Sequence, residues 1–202
     1  METGAQDLVT RAREIVKREG WAVAALAEQF DDGLAEVVNL LLGCRGHVLV
    51  AGAGTSRAIA QRLAHLLSCC GTPALSISAA DALHGGAGAI TAADVVYIIS
   101  KGGHSAEINQ FAQLARARGA RLVAQTENPE SPLAKMCDMV FRVRAAEGVD
   151  PYGMVATGSS LVNGAAGDVL CVLLLELRGY SQQAFGQTHP AGAVGRRLAE
   201  AQ

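Results

Sequence analysis

The sequence predicts an α/β fold: a three-layer sandwich with a parallel sheet at its centre and helices added at both ends. Three observations carry that expectation. Short apolar runs of strand length recur at His47–Ala51, Pro73–Ser78, Val95–Ile99, Arg121–Gln125 and Met139–Val143. The segments between them place apolar residues at helical spacing, and strands alternating with helices build right-handed βαβ units covered on both faces. Two of the runs end in loops of glycine and hydroxyl residues, HVLVAGAGTSR from His47 to Arg57 and DVVYIISKGGHS from Asp94 to Ser105.

Taken in order, residues 5–44 read as helices. Leu8, Ala12, Ile15 and Val16 repeat at helical spacing, as do Leu34, Val37, Val38 and Leu41. Asp31 and Asp32 supply the N-terminal cap of the second helix. The five strands are then separated by helices over Ile59–Cys70 and Glu107–Arg118 and by a short one over Ser131–Cys137. A long apolar helix covers Ser160–Leu177, and a tail over Phe185–Ala201 ends in another. No linker, repeat or low-complexity stretch intervenes. The 202 residues therefore read as one domain: N-terminal helices over 1–45, an α/β core over 46–180, and a C-terminal tail and helix over 181–202. That length suffices for a substantial core.

Composition excludes several function classes. A net charge of −2 gives no basic face for nucleic acid or an anionic membrane, and 4% aromatics leave no base-stacking platform. The five cysteines, Cys44, Cys69, Cys70, Cys137 and Cys171, show no CxxC spacing and read as small hydrophobes rather than metal ligands or disulfides. The stretch METGAQDLVTRAREIVKREG has no apolar h-region, so no secretory signal is expected. The apolar run Val169–Leu177 is too short to span a bilayer. A cytoplasmic protein is the expectation.

The glycine loops carry the chemistry. Gly52-Ala53-Gly54-Thr55-Ser56-Arg57 departs from the dinucleotide fingerprint at its third glycine, replaced by Arg57, and the second strand ends in Ser78 instead of an acid. Phosphate or sugar-hydroxyl binding by Gly54, Thr55 and Ser56 fits better than NAD; an ordinary tight turn is the plain alternative. In Ser100-Lys101-Gly102-Gly103-His104-Ser105 two hydroxyls and two glycines wrap an anion while Lys101 adds charge; the alternative is a solvated loop. His84 and His189 are acid–base candidates near neutral pH, although a lone histidine is commonly structural. Glu147, after the fifth strand, is a candidate base or partner of a cationic group. His47 and His65 lie inside strand and helix patterns and read as structural.

These residues resemble the sugar isomerase (SIS) domain, most closely the arabinose-5-phosphate isomerases without an appended CBS pair. The resemblance is carried by GAGTSR at 52–57, GTPALSISAADALHGG at 71–86, DVVYIISKGGHSAEI at 94–108, ENPESPLAKMCD at 127–138 and the stretch GDVLCVLLLELRGYSQQAFGQTHPAGAVGRRL at 167–198. It implies a five-stranded, flavodoxin-like parallel sheet and a homotetramer with active sites between subunits. It also implies aldose–ketose isomerisation of a phosphorylated sugar through an enediol; no redox cofactor is expected, and because no cluster has metal-ligand spacing a bare proton relay is expected rather than a metal. By the same resemblance, Ser56, Ser100 and Ser105 hold the phosphate, with Thr157, Ser159 and Ser160 as further binders. Catalytic histidines map onto His84 and His189, and a glutamate maps onto Glu147.

The departures are specific. Thr55 stands where the family has a lysine and His104 where it has a glutamate; Gly102 replaces a hydroxyl, Gly86 an aspartate, and ATGSSL at 156–161 keeps only part of a PTSSTT-like run. Lys101, His104 and Arg57 bring positive charge back nearby. The expectation is a retained scaffold and phosphate site with a changed sugar or proton-transfer pair, and His104 as a substitute acid or base. A non-catalytic phosphosugar-binding or regulatory module is the alternative.

Overall fold

The structure, a computed structural model, describes residues 4–200. Five strands form one sheet: β1 Val48–Gly52, β2 Ala74–Ser76, β3 Val95–Ile99, β4 Arg121–Thr126 and β5 Met139–Arg142. Their order is β2-β1-β3-β4-β5, and every pairing is parallel. All residues of β1 and β3 are buried, which explains their continuous apolar sequences: a parallel strand covered on both faces has no solvent side to mark with polar residues.

Successive side chains divide between two cores. Val48, Val50, Val95, Tyr97, Ile99 and Val123 point into the larger core, shared with α1 Ala5–Ala24, α2 Asp32–Leu42, α3 Thr55–Cys69 and α7 Gly158–Arg178. Leu49, Ala51, Val96, Ile98, Leu122 and Ala124 point the other way, toward α4 Ala79–Leu83, α5 Ala106–Ala117 and α6 Pro132–Met136. The expected three layers are present.

Local differences have local causes. Strand β2 is shorter than Pro73–Ser78 because Ser78 leaves the ladder to cap α4, its hydroxyl accepting from Asp81 N at 3.2 Å. Helix α3 starts four residues before Ile59, on Gly54 at φ 56°, and comes so close to β1 that a Cβ on Gly52 would lie 2.6 Å from the Ser56 carbonyl oxygen. The tail forms two helices, α8 Gln182–Thr188 and α9 Gly192–Glu200, split at Pro190 and at Gly192 with φ 75°. Its expected end at Ala201 lies outside the described residues.

Helix α7 is longer than its most apolar run. At 21 residues with hydropathy 1.6 it has the length and composition of a membrane span, unlike Val169–Leu177 alone. In the fold it is a core helix, with Val162, Ala166, Leu170 and Leu174 fully buried against α1, α2 and α3. Arg178 in its last turn donates from Nε to Thr72 Oγ1 at 2.9 Å and from Nη2 to the carbonyl oxygen of Leu41 at 3.2 Å, so it satisfies an open carbonyl at the end of α2.

At the amino ends of β1 and β3, Asp94 joins two turns. Its Oδ1 accepts from His47 N at 2.7 Å, and its Oδ2 accepts from Thr91 N at 2.7 Å and Thr91 Oγ1 at 2.8 Å. Burial pushes this carboxyl up, but the bonds from His47 and Thr91 outweigh it and hold the group below its ordinary value. A depressed carboxyl stabilises fully above the unfolded value of about 3.9 and loses that contribution as pH falls through the lower folded value. Asp94→Ala is expected to cost about 3 kcal/mol in urea unfolding at pH 7. The gap to the wild type should be the same at pH 5 and smaller at pH 3; a gap that stays constant to pH 3 contradicts the assignment.

Candidate functional site

Because β1 lies beside β3, the chain winds outward in one direction through β2 and in the other through β4 and β5. Open parallel sheets of this order form their crevice at the carboxyl ends of the two strands where the direction switches. Gly52 pairs with Ile99, so Ala53–Ser56 and Ser100–Ser105 leave the sheet side by side. Ser100 is buried at the end of β3, while Ser56 and Ser105 are half-buried in the first turn of α3 and at the N-cap of α5.

Capping distinguishes this edge. Among the helices that follow strands, α4 and α6 are capped by the hydroxyls of Ser78 and Ser131, which accept from Asp81 N and Ala134 N. Helix α3 opens on Gly54 with no side-chain cap, and Ser105 at the start of α5 makes no capping bond. Their first-turn N–H groups and hydroxyls are thus left for an outside acceptor, at the positive ends of two helix dipoles. Helix α7 has no cap from its own Thr157; instead Ser159 N donates to Asp150 Oδ1 at 2.8 Å.

The loop after β3 is pinned from below. The Lys101 carbonyl oxygen accepts from Thr126 Oγ1 at 2.8 Å and from Glu127 N at 3.0 Å. Gly103 sits at φ 68° with its missing side chain occupied by Ser131 Oγ. Lys101 Nζ reaches Asp150 Oδ2 at 2.9 Å. Burial raises the Asp150 carboxyl, but hydrogen bonding from Ser159 and the bond and charge of Lys101 outweigh it and hold the group below its ordinary value. His104 Nε2 is 3.4 Å from Asn128 Nδ2. Beneath the site, Tyr97 OH donates to Gln125 Oε1 at 2.6 Å and Gln125 Nε2 donates to Asn163 Oδ1 at 2.7 Å, fixing β3, β4 and α7 together.

Other expected residues lie elsewhere. Thr55 and Ser160 line a groove of about 630 Å³ between α1, α3 and α7, whose walls include Val16, Ile59 and the two-pronged Arg62–Asp168 pair at 2.5 and 3.0 Å. Glu147 lines a different groove, of about 540 Å³, with Gln29, Arg142 and Arg144; it pairs with Arg144 at 3.4 Å and its side chain is 92% exposed. His84 is exposed at the end of α4, before Gly85 at φ 107°, with no side-chain hydrogen bond among the described residues. His189 stacks on Phe185 at 3.8 Å between centroids, with Nδ1 3.0 Å from Thr188 Oγ1 and 2.9 Å from the Phe185 carbonyl oxygen. Within one chain, Ser56, Ser100, Lys101 and Ser105 stand on the two loops that leave the switch side by side, Asp150 links Ser159 to Lys101, and Glu147 faces its own groove. No three His, Cys, Asp or Glu side chains converge as a metal-binding set among the described residues.

Sequence reasoning missed Asp150 and Asn128. The step Asp150-Pro151 was a usable signal, because an acid before a proline commonly starts a turn. Gly103→Ala should lower stability by about 2 kcal/mol, from its left-handed backbone and the overlap with Ser131, while Gly102→Ala should cost under about 1 kcal/mol. Equal losses in thermal unfolding would contradict this account of the loop.

The SIS domain matches residues 41–173. Arabinose 5-phosphate isomerase KdsD of Pseudomonas aeruginosa is 36% identical over 192 residues, covering 95% of this chain and 59% of the relative. The Escherichia coli isomerase KpsF is 34% identical, with coverage of 95% and 61%. The chain thus spans about three-fifths of the length of the curated relatives it matches. Among solved structures, a candidate sugar-phosphate isomerase from Listeria monocytogenes superposes with a TM-score of 0.90 at 31% identity, covering 94% of this chain and 100% of that one. An Escherichia coli CFT073 protein in complex with A5P gives 0.89 at 29% identity, covering 93% and 100%. With five parallel strands in the order 2-1-3-4-5 and a family match over most of the sheet and its helices, the chain belongs to the SIS domain family.

Proposed function

We propose that this chain is a phosphosugar aldose–ketose isomerase working through an enediol, with arabinose 5-phosphate as its first candidate substrate. The carrying observation is the pair of uncapped helix starts, α3 and α5, that converge with Ser56, Ser100 and Ser105 on the β1/β3 switch. Donors of that kind suit a phosphoryl group. The arabinose 5-phosphate isomerases at 34–36% identity, and the A5P complex of a protein with the same fold, supply the sugar and the reaction class.

In this reading Gly54, Ser56, Ser100, Lys101, Ser105 and Ser159 form the phosphate side, and Thr55 and Ser160 extend it from the neighbouring groove between α1, α3 and α7. His84 and His189 open the ring and move the proton between C1 and C2 as acid and base. Glu147, which faces its own groove within one chain, assists them from a neighbouring copy, and His104 takes over where the family has a glutamate. The 202 residues act as one domain in the cytoplasm. Four copies assemble, and His189 of one completes the site of another. Supporting this are large apolar side chains left on the surface of the single chain: Val16, Trp21, Tyr152 and Met154 are 64–87% exposed.

Incubation with arabinose 5-phosphate in D₂O should place deuterium at C1 or C2, read by NMR, as the aldose and ketose interconvert. Stabilisation by the sugar phosphate with neither exchange nor turnover would support the binding-module alternative, which the Thr55 and His104 replacements motivate. His84→Asn and His189→Asn should each lower kcat by about 10²–10⁴ with KM within a few-fold. Light scattering should give four times the mass of the chain; a monomer would falsify the shared role of His189.

A further inference from the structure

Asp150 is the most enclosed carboxylate of the β5–α7 connection, its side chain only 3% exposed. Both oxygens are engaged, Oδ2 with Lys101 Nζ at 2.9 Å and Oδ1 with Ser159 N at 2.8 Å. The loop after β3 therefore meets the loop after β5, 49 residues further along the chain, and the first turn of α7 on one group. Neither partner is a free surface charge. The Lys101 backbone is fixed from the other side, where its carbonyl oxygen accepts from Thr126 and Glu127. Its side chain nevertheless remains 39% exposed, so the ammonium is held in place yet open to a ligand.

We infer that Asp150 is a positioning residue, locking Lys101 and the start of α7 into one frame around the sugar phosphate. The inference rests on the phosphosugar reading. It also refines the division of labour at the site. The Ser159 N–H is already given to a carboxylate, so this helix start contributes its neighbouring hydroxyls rather than that amide. Lys101 meets the phosphoryl group as half of an ion pair, which fixes where its charge sits and tempers how strongly it attracts. Asparagine at 150 still offers an oxygen to Ser159 N, but it brings no charge to Lys101 and releases the long side chain to rotate.

Asp150→Asn, Lys101→Met and the double variant separate this role from a purely structural one. Asp150→Asn is expected to raise KM for arabinose 5-phosphate about tenfold, to change kcat less than threefold, and to weaken competitive inhibition by inorganic phosphate in parallel. The double variant should be no worse than Lys101→Met, because both changes break one contact. An unchanged KM with only a lower melting temperature, or losses that multiply in the double variant, overturns the assignment. Hydrogen exchange without sugar gives a second readout. Asp150→Asn should speed amide exchange in both 100–105 and 157–160, and Lys101→Met should transmit some of that increase to 157–160; exchange confined to the mutated segment also overturns it. If the wild type turns over no arabinose 5-phosphate, the isomerase reading fails, and the exchange data alone decide whether Asp150 couples the two loops.

Discussion

The reversal of winding between β1 and β3 is the constraint on which the rest of the molecule depends. Two neighbouring parallel strands whose connections depart in opposite directions cannot close the space above their carboxyl ends. The glycine and hydroxyl loops that follow β1 and β3 leave the sheet side by side at that opening. The strands below it are covered on both faces, so the sheet acts as a rigid floor, and the Tyr97–Gln125–Asn163 chain of hydrogen bonds ties the floor to α7. Loops attached to such a floor are positioned by it rather than by their own stiffness.

The rim of this opening is built mainly from neutral donors. Helices α4 and α6, beside it, are closed by serine caps, whereas α3 and α5 are left open. An absent cap forgoes about 1 kcal/mol of helix stability. At an anion site that loss leaves backbone amides unspent until a ligand arrives, a usual exchange of stability for function. Lys101 at the rim is paired with Asp150, which offsets its charge.

How much of this was legible in the sequence varied with the range of the interactions involved. The central strands were plain, because burial on both faces writes an unbroken apolar run, as in Val95–Ile99. Edge strand β2 was overdrawn, since Ser78 belongs both to the end of an extended segment and to the cap of α4. The tail was read as ending in a helix, and Pro190 and Gly192 separate that helix from a second one before it. The hydroxyl loops at Ser56 and Ser100–Ser105 were recognisable from residue type and spacing alone. Asp150 was not, because its meaning lies in a lysine 49 residues away and is visible only when the sheet brings the two loops together. Glu147 was placed at the site by resemblance, but Gln29 grips the Arg144 backbone through both its amide atoms and turns that segment toward a separate groove.

Helix α7 carries a consequence for how the protein is made. It joins α1, α2 and α3 into one layer, yet it is synthesised after all five strands. While the ribosome is still adding residues up to Arg178, the surfaces of Leu63, Leu67, Val38 and Leu41 lack the partners they have in the finished core. A nascent chain at that stage offers chaperones an apolar surface, and folding to completion waits on its longest helix.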